Sequence, residues 1–340
     1  MRDITIAGGG LAGLALGLLL RERDVPVTLH EAGDYPRHRV CGEFISGTGA
    51  ALCKNWLAPS AKVLELNSIR FFTERRRSPV FALPNSALAI SRYDLDSMLA
   101  RKFEGMGGRL KTRSRLQDNF DGAGVVRATG RRISKNRSGR WVGLKFHAKN
   151  LPLSADLELH FSKGAYFGLS RLPDGITNVC GLIRSDSLPR NIGHEHVSII
   201  AARLHPDTQA AFAQAQVVEN SFCAVSGISL KPEAAQDSRE CRLGDAISMI
   251  APLTGNGMSM AFESALVAAD ALVQYSKGNW DWETSRKNIS QKCDEQFTAR
   301  LRAAWFLQNC VMHSAGQMLL LSSLRTAPGL FPWLFHRTRS

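Results

Sequence analysis

The sequence contains no C-x-x-C pair, and its seven cysteines (Cys41, Cys53, Cys180, Cys223, Cys241, Cys293 and Cys310) are scattered and odd in number. Neither a disulfide framework nor a zinc cluster is expected, and this usage suits a reducing cytoplasm. His194-Glu195-His196 sets two imidazoles at i and i+2. No third ligand cluster accompanies them, so the stretch reads as a solvated loop and no metal site is expected. Internal repeats and low-complexity linkers are also missing. Long apolar runs are scarce: the uncharged stretch Ile4 to Leu20 carries five glycines, falls short of the roughly 20 residues of a membrane span, and is followed by no A-x-A-like cleavage site. No targeting role is expected of it.

Acidic residues are in deficit, 30 Asp and Glu against 43 Lys and Arg, for a formal charge of +13. Such a balance fits a nucleic acid, an anionic substrate or an acidic membrane surface as partner. The densest basic run, Arg75-Arg76-Arg77, lacks interleaved aromatics and any nucleic-acid motif. It therefore reads as a solvated basic face, with docking of an anion or a carrier protein as the second reading and nucleic acid set aside.

What is present is enough for a sizeable core, since 44% of 340 residues are hydrophobic. Residues 3 to 31 read as strand, glycine turn, helix and strand, a βαβ unit. Ser91 to Phe103 carries helical spacing and stops at Gly105, Gly107 and Gly108. From Leu151 to Ile183, alternation and the Pro173-Asp174-Gly175 turn predict antiparallel strands. Residues 194 to 216 read as helical, Glu219 to Leu230 as strand, and Gly257 to Tyr275 as an alanine-rich helix. The last 45 residues hold apolar helical runs, then Pro328-Gly329 and an aromatic tail. They pack on the core, close a substrate pocket or touch a membrane surface.

Gly8-Gly9-Gly10-Leu11-Ala12-Gly13 fits G-x-G-x-x-G between a strand and a helix. In that pattern Gly8 makes the tight turn, Gly10 lets the backbone approach a pyrophosphate, and Gly13 lets helix and strand pack closely. The helix N-terminus then faces the phosphate charge. Glu31, with Ala32 after it, ends the second strand where an acidic side chain accepts hydrogen bonds from an adenosine ribose.

Leu243-Gly244-Asp245-Ala246, then Pro252-Leu253-Thr254-Gly255-Asn256-Gly257-Met258 and a long helix, resembles the second FAD signature of the p-hydroxybenzoate hydroxylase superfamily. The resemblance implies that Asp245 hydrogen-bonds the ribityl chain and that the following helix aims its N-terminus at the flavin. Further segments are similar to the geranylgeranyl reductase branch. Arg39-Val40-Cys41-Gly42-Glu43 matches a segment that passes beside the isoalloxazine. Ser91-Arg92-Tyr93-Asp94-Leu95-Asp96 matches one whose arginine, here Arg92, faces the cofactor. Gly164 to Leu169 with the Pro173 turn stands where relatives have Tyr-x-Trp-x-Phe-Pro.

Two departures accompany the likeness. Thr129 replaces the usual Asp of the family's Ala-Asp-Gly segment, which leaves the electron donor, NAD(P)H or another, open. Phe167 to Leu172 lacks the halogenases' Trp-x-Trp-x-Ile-Pro, which ranks halogenation low.

The expected fold is α/β: a Rossmann-type FAD-binding domain from residues 1–50, 85–130 and 235–275, an inserted sheet-based substrate domain from 51–84 and 131–234, and a helical C-terminal region from 276–340. The resemblance implies a cytoplasmic FAD-dependent oxidoreductase acting on an organic substrate, which leaves lipid or carrier-bound substrates and peripheral membrane contact open. Monooxygenase or oxidase chemistry ranks first, ene-reduction of an isoprenoid or lipid second, and a halogenase or a non-enzymatic flavoprotein below both. Cys41 is the candidate catalytic residue, because the resemblance sets it at the flavin; the neighbouring Arg37 and Arg39 are expected to lower its pKa.

Overall fold

The structure, a computed structural model, describes residues 1–116, 120–131, 141–188 and 196–338, with the backbone alone for His196. His194 and Glu195 lie outside the described residues. Strands β1 (Ile4–Ala7), β2 (Val27–His30) and β3 (Phe44–Ile45) come with helices α1 (Leu11–Arg21) and α2 (Gly47–Lys54). The hairpin of β4 (Leu64–Thr73) and β5 (Arg77–Ala89) leads to α3 (Arg92–Gly105), β6 (Arg109–Lys111) and β7 (Val125–Arg127). Strands β8 (Trp141–Lys149), β9 (Leu157–Ser162), β10 (Ala165–Arg171) and β11 (Thr177–Arg184) follow, then α4 (His196–Ala201) and α5 (Pro206–Phe212). The chain ends with β12 (Gln216–Val217), β13 (Cys223–Ile228), β14 (Cys241–Arg242), α6 (Gly257–Lys277), α7 (Trp282–Val311), α8 (Ser314–Thr326) and α9 (Leu330–Arg337). The run expected to be helical from 194 to 216 thus breaks at Pro206, which starts α5, and Gln216 already pairs with β8.

The first sheet, ordered β14-β7-β1-β2-β6, is parallel throughout. Its crossover helix α1 is buried from Leu11 to Leu20, which explains why its sequence is apolar all round rather than on one stripe. Gly17 makes this close packing possible, since a Cβ there would fall 2.8 Å from the Phe103 ring of α3.

The second sheet, ordered β12-β8-β11-β10-β9-β4-β5-β3 with β13 also on β8, is mostly antiparallel. Its register aligns side chains in ranks that share one face. One rank runs Ile69, Leu157, Ser170, Asn178 and His147. The next runs Phe71, Leu159, Gly168, Cys180 and Lys145. Both ranks turn from apolar on β4 and β9 to polar on β11 and β8.

Helix α7 joins the two layers. Ile289, Cys293, Phe297 and Leu301 belong to the core over the first sheet, whereas Val311, with Leu321, Leu324, Phe331 and Phe335 of α8 and α9, packs over the second. The Arg75 to Arg77 turn joins β4 to β5 at the surface, where Arg77 pairs with Asp207.

Candidate functional site

The glycine turn has the close approaches that its spacing requires. Gly8 has φ +107°, and a Cβ there would lie 2.3 Å from the Ala128 carbonyl oxygen. A Cβ at Gly13 would lie 2.0 Å from the Gly8 oxygen, so α1 rests directly on the turn. At Gly10 a Cβ would meet no atom within 4 Å: the turn opens to a space in front of α1. The helix starts without a side-chain cap, and buried Leu11 and Ala12 leave its first N–H groups without side-chain competitors. An uncapped N-terminus behind an open glycine cradle fits a pyrophosphate.

Glu31 lies beside this turn, nearly buried. Its carboxylate accepts from Gly9 N at 2.9 Å and Gly33 N at 2.8 Å, and pairs with Arg37 at 2.5 Å and Arg39 at 3.4 Å. Burial works to raise its pKa, but the Gly33 N–H, Arg39 and Arg37 together hold it below the usual carboxylate range. Ala32 is exposed next to it. Thr129, exposed and against Gly8, accepts from Arg127 at 3.2 Å.

The second signature folds onto the first. Gly244 has φ +56°, and its Cβ position is 3.1 Å from the Ala12 Cβ, so the Gly244–Ala246 turn packs on the first turn of α1. Asp245 is partly buried, accepts no hydrogen bond from a described side chain or backbone group, and is pushed up to about 6 by burial, against the pull of Arg92 and Arg131. An acid that accepts from no group among the described residues, within the fields of Arg92 and Arg131, fits a hydroxylated ligand. Arg92 itself is buried, forked onto Asp96 at 2.6 and 2.7 Å, and Asp96 also receives Arg39 Nε at 3.0 Å. Arg39 therefore bridges Asp96 and Glu31.

Beyond the Pro252–Thr254 turn, Gly255 has φ +64° and would collide with Phe44 through any Cβ, at 2.1 Å. Gly257 opens α6 without a side-chain cap, and Met258 is buried behind it. The Asn256 amide turns away from this end and donates to the Thr338 oxygen at 2.6 Å.

The segment 38–43 lies on the polar half of the second sheet. Val40 packs on Gly143, Asn178 Nδ2 donates to the Cys41 oxygen at 3.0 Å, and Ser170 Oγ donates to the Gly42 oxygen at 2.9 Å. The expected lowering of the Cys41 pKa is overturned. Arg37 and Arg39 turn to Glu31 and Asp96, and burial pushes the thiol up despite the nearby Arg92. Cys41 is a neutral thiol.

Glu43, Lys145, His147 and His38, none of them a candidate from the sequence, form a cluster. The buried Glu43 carboxylate binds Lys145 Nζ at 3.2 Å and His147 Nε2 at 2.5 Å and accepts from Arg92 N at 2.9 Å. Lys145 also reaches His38 Nδ1 at 2.9 Å. Burial, with Lys145 and His147 beside it, pushes His38 down to about 4, so it is neutral. His147 and Lys145 stand at i and i+2 on β8, an alternation visible in the sequence, but their partner lies a hundred residues away in another element.

An apolar cavity of about 100 Å³ opens beside Gly42, Phe44, Leu253 and Thr254. It runs along Ile69, Phe71, Leu157 and Phe161 and is closed by Leu320, Leu324, Phe331 and Phe335 of α8 and α9.

A parallel sheet with a glycine-turn cradle, a Gly-Asp turn packed on it and a second sheet under an apolar cavity defines the FAD-dependent oxidoreductases of the p-hydroxybenzoate hydroxylase superfamily. The chain belongs to the squalene epoxidase family, whose model matches residues 138–324, over half of its length. Among solved structures it is similar to the flavin-dependent brominase Bmp2, with TM-score 0.77 and 15% identity over 99% of this chain and 93% of that one. It is also similar to a geranylgeranyl bacteriochlorophyll reductase-like protein from Thermoplasma acidophilum, with TM-score 0.75 and 17% identity over 95% and 90%. PqsL from Pseudomonas aeruginosa, solved with 2-aminobenzoylacetate, superimposes with TM-score 0.73 and 15% identity over 93% and 98%. Identities this low speak for the fold alone. No curated protein matches the chain.

Proposed function

We propose that the protein is a monooxygenase that uses FAD, reduced by NAD(P)H, to oxidise an apolar, lipid-like substrate. The apolar cavity carries this reading: it begins at Gly42 and Leu253, beside the segments assigned to the flavin, and its far walls are Leu, Ile and Phe side chains. Pockets of this kind bind by excluding water from apolar surface, with few polar groups to orient the ligand. The family match, to squalene epoxidase, points to the same class of substrate.

In this reading, residues 1–50, 85–130 and 235–275 form the cofactor unit, 51–84 and 131–234 the substrate unit, and 276–340 its helical cover. Gly8, Gly10, Leu11, Ala12 and Gly13 hold the pyrophosphate through backbone N–H groups, and Glu31 with Ala32 meets the adenosine ribose. The four donors around Glu31 already fill its acceptor sites, so a ribose hydroxyl takes the place of Arg37, the most exposed of them. Gly244 and Asp245 take the ribityl chain. Arg39, Val40, Cys41, Arg92, Thr129, Pro252, Gly255, Asn256, Gly257 and Met258 surround the flavin ring. When bound, FAD supplies the redox and oxygen chemistry; these residues orient it and exclude water.

The cover also exposes large apolar groups on its outer side, among them Phe306 (66% exposed), Leu319 (70%) and Trp333 (56%). Among the described residues no helix is long and apolar enough to cross a membrane. Together with the net positive charge, these groups support peripheral contact with an anionic membrane surface, from a cytoplasm in which all seven cysteines stay unpaired.

One observation favours a second reading, reduction of an isoprenoid double bond: Cys41 keeps its proton and stands next to Gly42, at the mouth of the cavity. Turnover of an apolar polyene with NAD(P)H under labelled oxygen separates the two. Label in the product supports oxygenation, and an unlabelled, saturated product that also forms without air supports reduction. Flavin turnover indifferent to every apolar substrate contradicts both.

A further inference from the structure

The Glu43 cluster has no place in the cofactor contacts above, yet it sets an ion pair in the interior with both side chains fully buried. Glu43 and Lys145 are both completely buried, and Glu43 holds a left-handed backbone, φ +57°, that non-glycine residues seldom adopt. A buried ion pair is weak support for a fold, since apolar residues of similar volume often serve as well or better. The ligand atoms of His38, Glu43 and His147 lie within 4.8 Å of one another, a spacing that suits a metal. The Lys145 ammonium occupies that neighbourhood, 2.9 Å from His38 and 3.2 Å from Glu43, so the cluster carries its own cation.

What the cluster does hold is a segment of chain. The Glu43 N–H reaches Cys41 Sγ at 3.4 Å, its carboxylate ties β8 to the first turn of α3 through Arg92 N, and Asn178 and Ser170 pin the two carbonyls before it. We propose that Glu43 is a positioning residue: wedged between Lys145 and His147, it clamps the Cys41–Gly42 segment onto the second sheet and so sets how that segment meets the flavin. The contact with flavin rests on the cofactor reading above; the clamp itself does not.

The test uses Lys145→Met, Glu43→Gln and the double variant Glu43→Gln/Lys145→Met. Lys145→Met alone strands a buried carboxylate and lowers Tm, whereas the double variant removes both charges and recovers it. The clamp predicts that the double variant, despite its recovered Tm, binds FAD with a shifted absorption band and a shifted reduction potential. It also predicts labelling of Cys41 by a small thiol reagent, followed by mass mapping in the apoprotein, about tenfold faster or more, the factor that about 1.4 kcal/mol of lost local stability gives. A double variant with wild-type Tm, flavin spectrum and potential and with Cys41 labelled at the wild-type rate overturns the proposal. If the wild type takes up no FAD, the cofactor reading fails by itself, and the labelling rate still decides the clamp.

Discussion

Gly244 sits so close to Ala12 that a Cβ on the glycine would lie 3.1 Å from that of the alanine, although the two are far apart in the chain. This contact fixes the Asp245 turn to the N-terminus of α1, and the left-handed backbone at Gly244 adds a second barrier to substitution. Gly244→Val is expected to lower Tm and to weaken FAD binding by at least tenfold, as read by thermal melts and flavin titration. Unchanged affinity would separate the two signatures.

Gly10 predicts the opposite balance. Because a Cβ there meets nothing, Gly10→Leu should leave the apoprotein's folding stability within about 0.5 kcal/mol of wild type, the usual range for a surface change. The added side chain occupies the space open to the pyrophosphate, so FAD content should fall to near zero. Full FAD occupancy in this variant would remove the cradle from the account.

Asp245 makes stability depend on pH. Its folded pKa, about 6, lies above its unfolded value of 3.8, so the folded state binds the proton more tightly. Stability of the apoprotein should therefore fall as pH rises from about 4 to about 6, and Asp245→Asn should flatten that part of the profile. FAD affinity should move the other way if the ionised carboxylate accepts the ribityl hydroxyls, weakening below about pH 6 in the wild type only. Denaturant melts and FAD titrations at several pH values read both effects.

Much of the first sheet and its glycine turn was legible because the constraints there are local. Gly8, Gly10 and Gly13 serve one turn and one helix start, and the helical spacing from Ser91 announced α3 within a residue of its observed start. The second sheet was not, because its chemistry arises from register. Ser170, Asn178 and His147 become one rank only when β10, β11 and β8 pair, and Glu43 meets His147 in that rank and Lys145 in the next. Cys41 shows the hazard of proximity in sequence: Arg37 and Arg39 are near it in the chain, but each is engaged by a carboxylate elsewhere.

Cys41→Ser should retain FAD, because a serine hydroxyl can accept from the Glu43 N–H as the thiol does, and the Cys41 carbonyl keeps its bond from Asn178. If the thiol donates the catalytic proton, turnover should fall on the order of 10²-fold. Near wild-type turnover would make it part of the pocket wall.

The central claim, an FAD site built from the glycine turn and the Asp245 turn, is tested most directly by the flavin content of the purified protein. The account predicts a yellow protein that releases stoichiometric, unmodified FAD on heat denaturation and takes it up again on refolding. A colourless protein that ignores added FAD but binds NAD would contradict it.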